Sequence, residues 1–98
     1  MIDLLVVMDV KNLRNKDLFE KHLQQEGFEL VPNEKYTYQA KSTTTTFATK
    51  AYILNAFAQG LQKTTFDRCQ IAFLLNETMY PTYIYDKKTH SFEIASHE

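Results

Sequence analysis

The chain has 98 residues, 44% of them hydrophobic, and a formal net charge of −1, which suits one modest core and argues against two domains or a disordered chain. Its 11 basic and 12 acidic residues are spread along the sequence, unlike the clustered Lys and Arg through which strongly electrostatic nucleic-acid binders displace counterions. The single Cys69 has no disulfide partner or metal-ligand spacing around it. The apolar opening run is far shorter than the ~20 residues a bilayer requires and lacks signal-peptide anatomy, so a cytoplasmic setting without a membrane is expected.

Residues 2–10 read as a strand. Leu4, Leu5, Val6, Val7 and Met8 are continuously apolar, the pattern of a strand buried on both faces in the middle of a sheet. Residues 15–26 read as a helix with Asn15 as N-cap and Asp17 in the first turn, where the helix dipole favours an acid. Leu18, Phe19, His22 and Leu23 make its apolar face, and Gly27 ends it as the C′ residue. His22 there is expected to be packed.

Residues 28–31 form a short second strand, followed by a turn at Pro32, Asn33 and Glu34 and a third strand over 36–42. Tyr36, Tyr38 and Ala40 share one face of it, and packing beneath a helix is the expected role of the two tyrosines. The Thr43–Thr46 run suits a strand end, its last member capping the next helix. In that helix Phe47, Ala51, Leu54, Ala58 and Leu61 recur at helical intervals, widened by Ile53 and Phe57, and Gly60 marks its end.

Residues 68–76 alternate as a strand, with Cys69, Ile71, Phe73 and Leu75 on one face and Gln70, Ala72 and Leu74 on the other. Residues 79–85 and 91–95 then form a closing hairpin around 86–90, with Pro81 at an edge or strand start. The order βαββαβ is the split βαβ pattern of the ferredoxin-like sandwich. The expectation is therefore one α+β domain over 1–98, with a core over about 2–77, an extra C-terminal hairpin over about 79–95, and both helices on one face. Tyr80, Tyr83, Tyr85, Phe92 and Ile94 offer more apolar surface than two helices cover, so that hairpin is expected to build a homodimer.

No sequence motif carries a specific chemistry. Asp9 is the leading candidate, because a carboxylate at the end of an apolar strand is costly unless it is solvated, hydrogen-bonded or holding a cation. It serves either as a ligand for a hard metal such as Mg²⁺ or as an Asx cap of the following turn. Lys11, Arg14 and Lys16 lie close by, as a phosphate-positioning group or as solvated cations. Thr43 and Thr44 are candidate hydrogen-bond donors to phosphate oxygens. His90 falls in a turn and His97 near the chain end, neither with an evident partner.

The stretch LLVVMDV over residues 4–10, with Asp9 near its end, followed by a helix, a strand pair, a second helix and a strand, resembles the CRISPR adaptation protein Cas-two and, more distantly, the VapD toxins. The segment 31–38 with the Ser/Thr run after it, and the segment 66–71, are similar to parts of the GhoS endoribonuclease antitoxins. Across Cas-two nucleases the first-strand aspartate is the metal position, so the resemblance implies Asp9 of each subunit holding Mg²⁺ across a two-fold axis. Lys11 and Arg14 would then position the backbone of an RNA. Two classes of function stay open: an RNA-binding or RNA-cleaving protein of a toxin–antitoxin or phage-defence system, and a non-enzymatic module such as an immunity, inhibitor or anti-defence protein that binds a partner protein.

Overall fold

The structure, a computed structural model, describes residues 1–95; His97 lies outside them. In chain order the elements are β1 (Ile2–Lys11), α1 (Lys16–Gln25), β2 (Glu29–Leu30), β3 (Thr37–Ser42), α2 (Thr46–Gln62), β4 (Arg68–Leu75), β5 (Thr78–Met79), β6 (Tyr83–Asp86) and β7 (Ser91–Ile94). All strands join one antiparallel sheet in the order β2-β3-β1-β4-β6-β7, with β5 pairing to β4. The result is an α+β domain with two helices on one side of a seven-stranded sheet.

The pairing register decides which side is covered. Leu4, Val6 and Met8 of β1 share a face with Tyr38 of β3 and with Ile71, Phe73 and Leu75 of β4, and all seven are buried. The helices supply Phe19 and Leu23 from α1, and Ile53, Ala56, Phe57 and Leu61 from α2, to the same core. Four rings meet at its centre: Phe57 lies edge-on to Phe19, Phe28 and Tyr38. Tyr36 and Tyr38 therefore pack beneath the helices as expected, with Tyr36 partly buried against the core. His22 is also buried, and its Nε2 has no hydrogen-bond partner among the described residues.

Several expectations need correction. β1 is buried on one face only: Val7 is 45% exposed and Asp9 is exposed, because both helices cross the same side. The buried stripe of α2 runs through Thr49, Ile53, Ala56, Phe57, Gly60 and Leu61, while Phe47 is 83% exposed and Leu54 only half-buried. Ile53 and Phe57, both fully buried, mark the side of the helix that faces the sheet. Gly60 is inside α2, where the backbone passes close over Phe19, and the helix continues to Gln62. Leu18 is half exposed.

Most element ends fall where expected, with one shift by a residue. Thr45 rather than Thr46 caps α2, its hydroxyl accepting from the Ala48 N–H at 3.1 Å. Asn15 occupies the N-cap position of α1 in a left-handed conformation and makes no side-chain cap bond. Gly27 follows the C-cap Glu26 with φ +95, as the C′ reading requires. Pro81 lies between β5 and β6 and divides the single strand expected there, since it has no N–H to give the ladder.

The hairpin also differs from expectation. β6 pairs with β4 and extends the sheet, so Tyr83, Tyr85 and Phe92 turn under α2 and are buried in the single chain. These three aromatic residues of the surplus from which a hairpin-built homodimer was expected are therefore covered within one chain. Of the five residues from which that expectation was drawn, Ile94 is exposed, at 59%.

Candidate functional site

The uncovered side of the sheet carries the other half of each alternation. β1 presents Asp3, Leu5, Val7, Asp9 and Lys11 there; β3 presents Thr37, Gln39 and Lys41; β4 presents Arg68, Gln70, Ala72 and Leu74. Met79 stands beside Leu74, and Ile84 beside Gln70. Leu5, Val7, Ala72 and Leu74 therefore form an apolar centre across β1 and β4, with Met79 and Ile84 at 68% and 41% exposure on its flank. Neither helix reaches this face, because both spend their apolar stripes on the opposite one.

Asp9 and Lys11 sit at one end of the face. With Arg68, Cys69, Gln70 and Ile84 they line a hollow of about 150 Å³. Arg68 enters because β1 and β4 pair Lys11 with Arg68 and Asp9 with Gln70. Arg14 does not line it; its backbone N–H donates to the Thr65 carbonyl at 2.9 Å in the adjoining loop. Asn12 bonds the Asp67 carboxylate nearby. The hollow thus combines one carboxylate with two cations, an arrangement suited to a small anion or to the ion pairs of a docked surface. No cluster of three or more potential metal-ligating side chains occurs among the described residues.

Thr43 and Thr44 stand at the other end. β3 finishes at Ser42, which pairs with Ile2 at the start of β1, and seven residues of strand at about 3.3 Å each separate that end from Asp9. The Thr44 N–H is held by the Ser42 hydroxyl at 3.2 Å. These threonines cannot serve the same phosphate as Asp9 and Lys11 within one chain. Arg68 was missed by sequence reasoning, although the alternation Arg68, Gln70, Ala72, Leu74 places it on a strand face; which face, and beside which residue, depends on the register.

The thiol beside this end is inert in character. Burial pushes Cys69 up from its ordinary 9.0 to about 12, and the Asp9 charge adds to the effect. Burial, reinforced by the charge of Glu20 and the 3.1 Å hydrogen bond the Tyr38 hydroxyl donates to it, likewise raises the Tyr38 phenol above its ordinary 10.0. Both groups hold their proton more tightly folded than unfolded. Their contribution to stability is full below pH 9.0 and is lost as pH rises through the folded values. Melting temperature is expected to fall from about pH 9 upward, and less steeply in Cys69→Ala and Tyr38→Phe; equal slopes in the variants and the parent would contradict this assignment.

Comparison with protein-family models, with curated proteins and with solved structures returned no match. No helix among the described residues is long and apolar enough to cross a membrane.

Proposed function

We propose that the chain is a protein-interaction module of ferredoxin-like topology that works by binding through the open face of its sheet. The topology is supported by the element order βαββαβ over β1 to β4 and by the strand order β2-β3-β1-β4, which the hairpin then extends. The binding role rests on one observation: an apolar centre of Leu5, Val7, Ala72 and Leu74 with polar and charged residues around it, on a face that no helix covers. Monomeric proteins rarely leave contiguous apolar patches of more than a few hundred Å² unoccupied, and a polar rim around an apolar centre is the layout of protein interfaces. The low net charge of −1 and the absence of aromatic side chains at the β1, β3 and β4 positions of this face favour a protein partner over a nucleic acid.

A photo-cross-linking amino acid at Val7, compared with one at Lys21 on the exposed side of α1, tests this reading in cells. Discrete protein adducts at position 7 and none at 21 are expected. Position 7 giving no more adducts than position 21 would refute it.

A second reading keeps RNA as the ligand, because Lys11 and Arg68 flank Asp9 in one hollow. In that reading the two cations hold a phosphate, and Asp9 contributes to a Mg²⁺ site that activates water for cleavage. Cleavage of a defined RNA that requires Mg²⁺ and disappears in Asp9→Asn supports it; cleavage unchanged in that variant rules it out.

A further inference from the structure

We infer that the occupant of the open face is a second copy of this chain, docked sheet to sheet about a two-fold axis passing over Val7. The inference rests on the binding-face reading and adds the partner. Along β1 the open-face residues are Asp3, Leu5, Val7, Asp9 and Lys11, so Asp3 and Lys11 stand equally far from Val7 on either side. A two-fold axis across the strand at Val7 sets the two β1 strands antiparallel. It carries Asp3 of one copy over Lys11 of the other, twice, with Val7 meeting Val7 between them. The end residues of this strand's open face are thus complementary in charge about its apolar midpoint.

The two ends of the face are exposed to solvent, where the Asp3–Lys41 ion pair is weak and exchangeable. The Asp3 side chain is 72% exposed and its nearest cation, Lys41, is 4.0 Å away; Lys11 is exposed. Packed sheets lie ~10 Å apart with strands rotated by about 30°, an offset that the long Lys stem spans while lying along apolar surface. On β4 the same axis sets the apolar Ala72 near the centre of the contact and the Arg68 end of one copy over the Asn76 end of the other. Asp9, on the Lys11 side of the axis, falls over Leu5 of the other copy, at the margin of the apolar centre, where it keeps its own Lys11 and Arg68 as neighbours.

At about 4.8 Å between strands and 3.3 Å per residue, β1 and β4, the strands this axis lays over their own copies, project on the order of 300 Å². That is the extent of a weak, concentration-dependent dimer rather than of the ~800 Å² per partner of a tight one. A contact of this extent covers the apolar centre that one chain leaves open.

Sedimentation velocity of the full chain from about 1 to 100 µM tests the inference, with circular dichroism confirming that each variant is folded. A dimer is expected for the parent and a monomer for Val7→Asp. Asp3→Lys and Lys11→Asp should each weaken self-association about tenfold, because one change sets like charges together at two symmetry-related contacts. The double variant Asp3→Lys/Lys11→Asp should recover to within about threefold of the parent. A parent that stays monomeric, a dimer that survives Val7→Asp, or a double variant no tighter than the single ones overturns the inference. The cross-link at position 7 separates its failure from that of the binding-face reading: an adduct of twice the chain mass supports both, an adduct to a different protein with a monomeric purified chain removes self-docking alone, and no adduct removes both.

Discussion

Replacing Phe57 with alanine is expected to cost about 3–5 kcal/mol of stability, the usual range for removing a buried Phe. Its side chain is fully buried and joins every layer of the domain. Ring centroids lie 5.9 Å from Phe19 on α1, 5.2 Å from Phe28 at the entry to β2 and 5.6 Å from Tyr38 on β3, all edge-to-face. Such pairs contribute beyond burial alone, and the rigid rings around the vacated space cannot collapse into it. For a domain of this size the loss corresponds to a fall in melting temperature of at least about 12 °C. Phe47→Ala on the same helix should change stability by no more than about 0.5 kcal/mol, since that ring is 83% exposed. Thermal or urea unfolding of the two variants side by side checks both values; a similar loss in each would mean that α2 is rotated from the orientation described.

Gly60→Ala is expected to destabilise the protein, by up to about 2 kcal/mol, against the direction of helix propensity. In an exposed helix interior, alanine is better than glycine by about 1 kcal/mol. Here a methyl at Gly60 would stand 3.0 Å from two ring carbons of Phe19 and 3.2 Å from His22 Cδ2. Phe19 must shift by a few tenths of an ångström to admit it, against Tyr38 and Phe57, which pack edge-on to it at 6.2 and 5.9 Å between centroids. Overpacking of this kind costs ~1–3 kcal/mol, which outweighs the propensity gain. The double variant Phe19→Leu/Gly60→Ala should be less unstable than the two single losses added together, because the smaller side chain opens the space the methyl requires. Strict additivity, or a stabilised Gly60→Ala protein, would show that α1 and α2 pack less closely at this point.

The Gly60 case shows how far local signals reach. As one of only two glycines in the chain, Gly60 looks like a helix stop, because glycine is usually a terminator. In the structure it is the small residue that lets two helices approach. Gly27, by contrast, is legible at once: the conformation it adopts is set by the chain on either side of it. The order of helices and strands was legible for the same reason, since the alternation of β4 and the helical spacing of α1 and α2 are properties of short segments. Pro81 acted locally too, though it divided a strand where an edge position was expected.

Which residues line the candidate site was decided otherwise. Leu4 to Met8 are equally apolar, and nothing in the run says whether one or two faces are buried; only the placement of both helices on the side of Val6 leaves Val7 open. Arg68 lies 57 positions after Lys11 and becomes its neighbour through antiparallel pairing alone. The same pairing leaves Thr43 and Thr44 at the end of β1 opposite to Asp9. The sequence by itself determined the α+β class, the element order and the candidacy of Asp9 and Lys11, because each follows from residues near one another in the chain. The tertiary structure decided which sheet face is bare, that Arg68 joins Asp9, and that the hairpin aromatics are buried, because register and helix docking are set by contacts between distant segments.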